Sequence, residues 1–150
     1  MRLLVVHHTP SPALHTLLES VLDGARQVED VEVVHRPALT ASPVDALEAD
    51  GYVLGAPVNL GMLAGALKHF FDQAYYPCLD VTAGRPFGVY LHGNDDASGA
   101  LRDLGKIVTG LRWRQVHEHV VVLGQPATSD VESAWDLGAT VAAHIADPSL

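Results

Sequence analysis

The chain has 150 residues, of which 48% are hydrophobic, which is enough for one buried core and leaves little room for a second domain. With 18 acidic against 9 basic residues the net charge is −9, which argues against nucleic acid or an anionic membrane as a partner. The single cysteine, Cys78, excludes an intramolecular disulfide and a cysteine-rich zinc site. Because only 18% of the residues are charged, we expect a ligand or a second subunit to cover part of the surface.

The beginning of the chain carries no pattern of a targeting segment. The apolar run at 3–6 is too short for the core of a signal peptide. No other apolar stretch has the ~20 residues that a membrane-spanning helix needs. Together with the lone cysteine, these features predict one cytoplasmic domain over residues 1–150, with no membrane partner.

Short apolar runs then alternate with segments of helical periodicity. The runs are rich in Val and Leu, as is typical of strands buried on both faces of a parallel sheet, and they occupy 3–6, 31–34, 52–54, 88–91 and 119–123. Apolar stripes at three- and four-residue spacing predict helices within 14–22, 63–74, 101–111 and 131–145, with a short helix at 44–47. The last stripe consists of Val131, Trp135, Ala139, Ala142 and Ile145.

Residues that favour helix ends agree with this order. Ser11 and Ser42 each precede a proline and are predicted N-caps. Ser129 with Glu132 matches a capping box, and Gly24 is expected to end the first helix. The alternation predicts an α/β fold with an open parallel sheet covered by helices on both faces. Ligands bind such sheets beyond the carboxyl ends of the strands, which directs attention to the segments after the first, third and fourth strands.

The segment after the first strand has the features of an anion site. Thr9 and Ser11 supply hydroxyl groups, and the amides of Ala13 and Leu14 are expected to be free at the start of the helix. Together these groups predict a phosphate site without any Lys or Arg. The alternative is that Ser11 only caps its helix.

The segments after the third and fourth strands suit a planar ligand. Residues 55–62 contain two glycines, one proline and no charge, so they can lie flat against an apolar ring while Asn59 bonds a heterocycle. Residues 91–99 are polar and could close the far side of the ring. The alternatives are an ordinary strand-to-helix turn for the first, and a turn with an N-cap at Asn94 and Asp95 for the second.

Three stretches resemble a known family. Residues 50–58 (DGYVLGAPV) resemble the third strand and flavin loop of flavodoxin-like proteins. Residues 67–72 (LKHFFD) resemble the following helix of NADPH-dependent FMN reductases and flavodoxin-like quinone reductases, and residues 84–87 (GRPF) resemble the lead into their fourth strand. The similarity in element order covers nearly the whole chain.

The resemblance implies a flavodoxin-like three-layer sandwich, with a five-stranded sheet of order 2-1-3-4-5 and FMN held by all three segments. It assigns the FMN phosphate to Thr9, Ser11 and the amides of the residues after Pro12, namely Ala13 and Leu14. It assigns one side of the isoalloxazine ring to Pro57, Val58, Asn59, Leu60, Gly61 and Met62, and the other side to His92, Gly93 and Asn94.

The activity implied is electron transfer from NAD(P)H to a quinone or a similar small acceptor. The flavin supplies the redox chemistry, so no catalytic side chain is expected. The acidic charge of the protein should lower the potential of the flavin by repulsion.

Two departures from the family bear on this interpretation. Pro12 stands where the family usually has glycine, which removes one phosphate donor. Val58, Asn59 and Leu60 offer no clear counterpart of the ring-sandwiching aromatics of electron carriers, which favours the reductase-like branch. In that branch a homodimer often completes the site.

The alternatives are an electron carrier that docks a redox partner protein, and a flavodoxin-like module without a cofactor. Tyr75 and Tyr76 are candidates for a dimer interface, and core packing is the alternative for that pair. The nine histidines show no spacing typical of a closed metal site, so no metal is expected.

Overall fold

The computed structural model describes all 150 residues, in five α-helices and seven β-strands. The strands are β1 (Arg2–His7), β2 (Glu32–Pro37), β3 (Gly51–Asn59), β4 (Met62–Leu63), β5 (Pro86–Gly93), β6 (Arg114–Gln115) and β7 (Val120–Leu123). The helices are α1 (Pro12–Ala25), α2 (Pro43–Glu48), α3 (Gly65–Cys78), α4 (Ser98–Leu111) and α5 (Thr128–Ala146). None of these helices is long and apolar enough to span a membrane.

The sheet has the predicted strand order, but it contains seven strands instead of the predicted five. Its strands run β2-β1-β3-β5, and β6 and β7 share the outer edge of β5; all these pairs are parallel. The predicted fifth strand at 119–123 is present as β7, and the short β6 at 114–115 is an additional strand that was not predicted. The seventh strand, β4, is a short antiparallel addition to the end of β3. The predicted fold class is confirmed.

Two strands extend further than the sequence indicated. Residues 55–59 belong to β3 and residues 92–93 belong to β5, although both stretches were predicted to leave the sheet. Pro57 lies opposite His92 in the register that joins these strands. The turns after β3 and β5 are therefore shorter than expected, and they lie at the very end of the sheet.

Apolar side chains cover both faces of the sheet. Leu3, Val5 and Tyr90 belong to a buried cluster with α1 and α5, whereas Leu4 and Val6 belong to a second cluster with α2, α3 and α4. This alternation along β1 follows the two-residue period of a strand. Burial on both faces explains why the predicted strands read as continuous apolar runs.

Helices α1 and α5 approach each other closely through two glycines. A Cβ atom at Gly24 would lie 2.0 Å from the carbonyl oxygen of Trp135, and one at Gly138 would lie 2.0 Å from that of Val21. The prediction that Gly24 ends α1 is wrong, because the helix continues to Ala25 and its C-cap is Arg26. Gly24 is required for close packing of two backbones rather than for a helix stop.

The N-terminal caps agree with the sequence for two helices and differ for a third. Ser11 and Ser42 cap α1 and α2, as predicted. The predicted box at Ser129 and Glu132 is wrong, since α5 begins earlier and Asp130 accepts the backbone N–H of Ala127 at 2.8 Å. The predicted apolar stripe of α5 is confirmed at Ala142 and Ile145, whereas Trp135 remains 39% exposed and Ala134, Leu137 and Val141 complete the buried face instead.

Candidate functional site

The carboxyl ends of β1, β3 and β5 lie side by side at one edge of the sheet. From β1 the chain passes to β2 on one side, and it later returns to form β3 on the other side. This reversal between β1 and β3 leaves the opening where ligands bind in open α/β sheets. The turns that surround it are those after β1, β3 and β5.

The turn between β1 and α1 presents several unpaired hydrogen-bond donors. The backbone N–H groups of Thr9, Ser11 and Ala13 make no hydrogen bond within the protein, and the three residues are only half-buried. Pro12 at the first position of the helix has no N–H group. The turn therefore retains three amide donors despite this proline.

Ser11 caps α1 and keeps a hydroxyl proton available. Its Oγ accepts the N–H of Leu14 at 3.3 Å, so the amide of Leu14 is not free as the sequence suggested. A hydroxyl oxygen that accepts one hydrogen bond can still donate its own proton to another group. Capping and anion binding by Ser11 are therefore compatible, and the two alternatives of the sequence analysis do not exclude each other.

The charge around this turn is favourable to an anion without any cationic side chain. The first turn of α1 carries no acidic residue, whereas the first turns of α2 and α5 carry Asp45 and Asp130. The positive end of the α1 dipole is thus not neutralised by the protein itself. An anion here would meet backbone N–H groups and hydroxyls only.

The histidine before this turn is buried. His7 is 8% exposed, and its Nδ1 lies 2.7 Å from Oγ1 of Thr9. Its Nε2 is buried and has no hydrogen-bond partner. Desolvation, followed by the influence of His35 and His8, lowers the pKa of His7 to about 4. His7 is therefore neutral near pH 7.

The end of β3 folds back on itself in a tight hairpin. Leu60 and Gly61 join β3 to β4, with φ angles of 54° and 73°. Two positive φ angles are typical of a two-residue hairpin turn, and the left-handed conformation costs Leu60 about 1–2 kcal/mol relative to glycine. The side chain of Leu60 is 92% exposed. The hairpin thus holds a large apolar side chain in solvent, in a backbone conformation that such residues rarely adopt.

A groove separates this hairpin from the turn after β5. It has a volume of about 490 Å³ and is lined by Val58, Leu60, Gly61, Asn94, Asp95 and Asp96. This volume lies in the range of small-molecule sites. The side of the groove formed by β3 is largely apolar, and the opposite side is polar and acidic.

Two glycines hold the walls of the groove together. A Cβ atom at Gly99 would lie 2.3 Å from the carbonyl oxygen of Gly61, so the start of α4 packs directly on the hairpin. A Cβ atom at Gly93 would lie 3.2 Å from Cβ of Val58. The glycines thus set the distance between the hairpin and the third turn.

The structure brings together only part of the predicted ring site. Of the residues predicted to contact the ring, Val58, Leu60, Gly61 and Asn94 line the groove, and Gly93 packs behind Val58. The remaining predicted residues, Pro57, Asn59, Met62 and His92, are not part of its lining. Pro57 is buried in the sheet, and Nε2 of His92 lies 2.8 Å from the carbonyl oxygen of Gly124.

Sequence reasoning missed the acidic wall of the groove. Asp95 was considered only as a capping residue, and Asp96 was not considered, yet both line the groove. Asp96 accepts the N–H of Ser98 at 2.9 Å and its hydroxyl at 2.6 Å, and these hydrogen bonds hold the pKa of Asp96 below its usual value. The Asp96 carboxylate is therefore ionised near pH 7 and places negative charge beside the groove.

The predicted interface pair lies away from this site, between α3 and α4. Tyr76 is 80% exposed and Tyr75 is half-buried, so core packing does not account for Tyr76. The two tyrosines line a groove of about 250 Å³ with Lys68, Phe71, Asp72 and Ile107. A second subunit at this position stays a prediction.

No family model matches the chain. A flavodoxin from Aquifex aeolicus is 35% identical over 72 residues, which cover 48% of this chain and 39% of that protein. An NAD(P)H dehydrogenase (quinone) from Geotalea uraniireducens is 25% identical, with 48% of this chain and 47% of that protein covered. The chain thus spans less than half the length of these curated relatives.

The solved structures extend the likeness to the complete fold. A WrbA-like flavodoxin from Agrobacterium tumefaciens superimposes with a TM-score of 0.80 at 19% identity, and the match covers 97% of each chain. The chain therefore has the flavodoxin-like fold. Within this flavodoxin-like chain, the turn after β1 and the groove beside the hairpin lie at the same edge of the sheet.

Proposed function

We propose that this flavodoxin-like chain binds FMN and transfers electrons from NAD(P)H to a quinone or a similar small acceptor. One observation carries the proposal: a turn with free donors and no cation lies at the end of β1, and a groove of about 490 Å³ lies at the ends of the neighbouring strands β3 and β5. A phosphorylated ligand with a planar ring needs these two features side by side.

The turn after β1 fits the phosphate of FMN. Thr9 and Ser11 would donate their hydroxyl protons, and the amides of Thr9, Ser11 and Ala13 would donate alongside them. A helix N-terminus with unpaired N–H groups suits a phosphate without requiring a basic side chain. The exposed Pro12 would add no donor, and Leu14 would contribute its buried side chain to the core rather than its amide to the ligand.

The groove fits the isoalloxazine ring. Val58 and the hairpin residues Leu60 and Gly61 would contact one side of the ring, and Asn94 would face its polar edge from the third turn. The exposed side chain of Leu60 would lose contact with water when a ring lies against it, which favours binding. Backbone groups of the hairpin would remain available to bond the polar atoms of the ring.

The electrostatic surroundings would tune the flavin. When bound, FMN supplies the hydride and electron transfer, and the protein supplies orientation and charge. Asp95 and Asp96 place two carboxylates on the polar wall, in a chain of net charge −9. Negative charge near the ring disfavours the addition of electrons and lowers the reduction potential.

The groove favours reaction with small molecules. No aromatic side chain lines it, so a planar acceptor or a nicotinamide could approach the exposed face of the ring. The relative named as an NAD(P)H dehydrogenase (quinone) supports this direction. NAD(P)H and a quinone are accordingly the proposed substrates.

A visible absorption spectrum and a ligand titration test the proposal. Protein loaded with FMN should show flavin absorbance after gel filtration, and FMN should bind more tightly than riboflavin, which lacks the phosphate. The loaded protein should then oxidise NAD(P)H with a soluble quinone and no partner protein. Absence of FMN binding would refute the cofactor assignment, and absence of turnover by loaded protein would refute the reductase assignment alone.

A flavodoxin-type electron carrier is the second candidate. Leu60, Met62 and Leu123 are all more than half exposed at the edge of the sheet that carries the groove, within a strongly acidic protein. Such a surface could dock a basic redox protein, with an association rate that falls as salt increases. Reduction of the bound flavin by a reductase protein, but not by NAD(P)H alone, would favour the carrier.

A further inference from the structure

The contact between His7 and Thr9 determines what the Thr9 hydroxyl can offer to a ligand. Nδ1 of His7 and Oγ1 of Thr9 are 2.7 Å apart, so they share one proton in a hydrogen bond. If Nδ1 is unprotonated, the Thr9 hydroxyl must donate its proton to Nδ1, and only the lone pairs of Oγ1 are left to face a ligand. If Nδ1 carries a proton, the ring donates to Thr9 and the hydroxyl proton remains free for a ligand.

A phosphate monoester requires the second arrangement. Its oxygens accept hydrogen bonds and are repelled by the lone pairs of a hydroxyl that donates elsewhere. The turn has no Lys or Arg, and Pro12 has removed one amide donor, so each remaining donor matters more. The direction of the Thr9 hydroxyl is thus a substantial part of the anion site.

We propose that His7 is a positioning residue for this site: as a neutral ring protonated on Nδ1, it donates to Thr9 and thereby directs the Thr9 hydroxyl proton to a bound phosphate monoester. This inference rests on the proposed binding of FMN. His7 itself touches no ligand and acts only through Thr9.

The surroundings of His7 support a neutral ring protonated on Nδ1. The titratable groups that face it are His35 of β2, whose ring centre is 5.7 Å away, and the adjacent His8. On the side of β3, Gly55 has no side chain, and its place is filled by the phenol ring of Tyr90 from β5, which is completely buried. No carboxylate is among the groups that act on the ring, so nothing stabilises an imidazolium there.

The buried Nε2 of His7 points to the same tautomer. This atom has no hydrogen-bond partner. A buried N–H group without an acceptor is rarer in proteins than an acceptor without a donor. A ring that must leave Nε2 unpaired therefore favours placing its proton on Nδ1, where Thr9 can accept it. The low pKa of about 4 keeps this neutral form populated near pH 7.

Nitrogen-15 NMR of the histidine rings tests the tautomer directly, because protonated and unprotonated ring nitrogens have well-separated shifts. The spectrum is recorded on wild-type protein with FMN bound at pH 7, and His7→Asn identifies the signal. We expect a protonated Nδ1 and an unprotonated Nε2 for His7. A proton on Nε2, with or without one on Nδ1, would overturn the inference.

Two variants test the consequence for binding. His7→Leu removes the donor to Thr9, whereas the amide of His7→Asn can place a donor near the position of Nδ1. We expect His7→Leu to weaken FMN binding about two- to tenfold, as for loss of a neutral hydrogen bond that orients the Thr9 hydroxyl, and to leave riboflavin binding unchanged. His7→Asn should recover most of the FMN affinity.

The outcomes separate this inference from the proposed function. If wild-type protein binds no FMN, the proposed function fails and the role of His7 fails with it. If wild-type protein binds FMN but His7→Leu binds it equally well, only the role of His7 is refuted. Equal losses for FMN and riboflavin in His7→Leu would likewise refute it, since His7 would then support the fold rather than the phosphate contact.

Discussion

Replacement of Ser11 by alanine separates capping from ligand binding. The Ser11 hydroxyl accepts the Leu14 N–H at 3.3 Å, which is longer than the usual 2.9–3.0 Å for such a bond. The loss of this cap should therefore lie at the low end of the usual range, at about 0.5–1 kcal/mol of unfolding free energy. This cost applies to the protein without ligand.

The effect on FMN binding should be larger. A hydroxyl that donates to a charged phosphate contributes about 1.5–3 kcal/mol, which corresponds to a loss of affinity of roughly 10- to 150-fold. Riboflavin binding should stay unchanged, because riboflavin has no phosphate to contact. Titration of flavin fluorescence with both ligands measures the two effects on the same protein.

Ser42→Ala provides the matched control. Ser42 also precedes a proline and caps its helix, with Oγ accepting the N–H of Asp45 at 3.2 Å. It belongs to α2, which packs with the opposite face of the sheet from α1, and Asp45 already occupies that helix start. Ser42→Ala should thus lower the free energy of unfolding by a similar amount without weakening FMN binding.

A specific result would refute the reasoning. If both variants lower the urea midpoint similarly and Ser11→Ala binds FMN as tightly as the wild type, Ser11 is a cap and nothing more. The phosphate would then have to be held elsewhere in the protein, and the turn after β1 would lose its assigned role.

The remaining predictions concern packing, the groove and pH. Gly138→Ala places a Cβ atom 2.0 Å from the Val21 carbonyl oxygen, so α1 and α5 must move apart, and the free energy of unfolding should fall by about 3 kcal/mol or more in a denaturation experiment. Gly105→Ala, whose Cβ would have nothing within 4 Å, is the control and should not destabilise the protein. Gly99→Ala places its Cβ atom 2.3 Å from the Gly61 carbonyl oxygen, so the hairpin must move. This variant should weaken the binding of riboflavin and of FMN equally, and a loss of affinity confined to FMN would contradict this. Asp95→Asn should raise the flavin potential in a redox titration, and less so at high salt; an unchanged potential at low salt would show that its charge does not act on the ring. The pKa of His7 falls from 6.5 to about 4 on folding, so the unfolded chain binds the proton more tightly. The contribution of His7 to the free energy of unfolding is therefore complete above about pH 6.5 and is lost as the pH falls toward 4, by up to about 3 kcal/mol. The non-titrating variant His7→Asn should lack that part of the acid dependence in urea denaturation.

The fold could be predicted because its signals are local. Strands buried on both faces must be apolar at every position, so runs such as 3–6 were recognisable without their partners. The caps at Ser11 and Ser42 depend on a serine and its next few residues. Element order and the parallel sheet followed from these observations alone.

Features that depend on distant partners were not predictable from the sequence. Gly24 resembles a helix-ending glycine, and only contact with α5, more than 100 residues later in the chain, reveals its packing role. Pro57 and Asn59 suggested a turn, but pairing of β3 with β5 keeps Pro57 in the sheet, and the turn falls at Leu60 and Gly61. A pattern along one strand contains no information on how far its neighbour extends.

The same distinction explains which parts of the candidate site were found. The proposed anion site after β1 follows from a helix N-terminus, which is a local feature. The acidic wall of the groove requires that the hairpin and α4 meet at Gly61 and Gly99.

His7 lies between these two cases. The two-residue period of β1 places it on the same face as Leu3 and Val5, so its burial could have been predicted. The period alone could not reveal that the ring of Tyr90 fills the space beside Gly55 on the next strand. No carboxylate acts on the histidine there, so nothing stabilises its protonated form. The proposed phosphate site, which lacks a cation, thus adjoins a histidine that the fold keeps neutral, and its proposed donors depend on geometry rather than on charge.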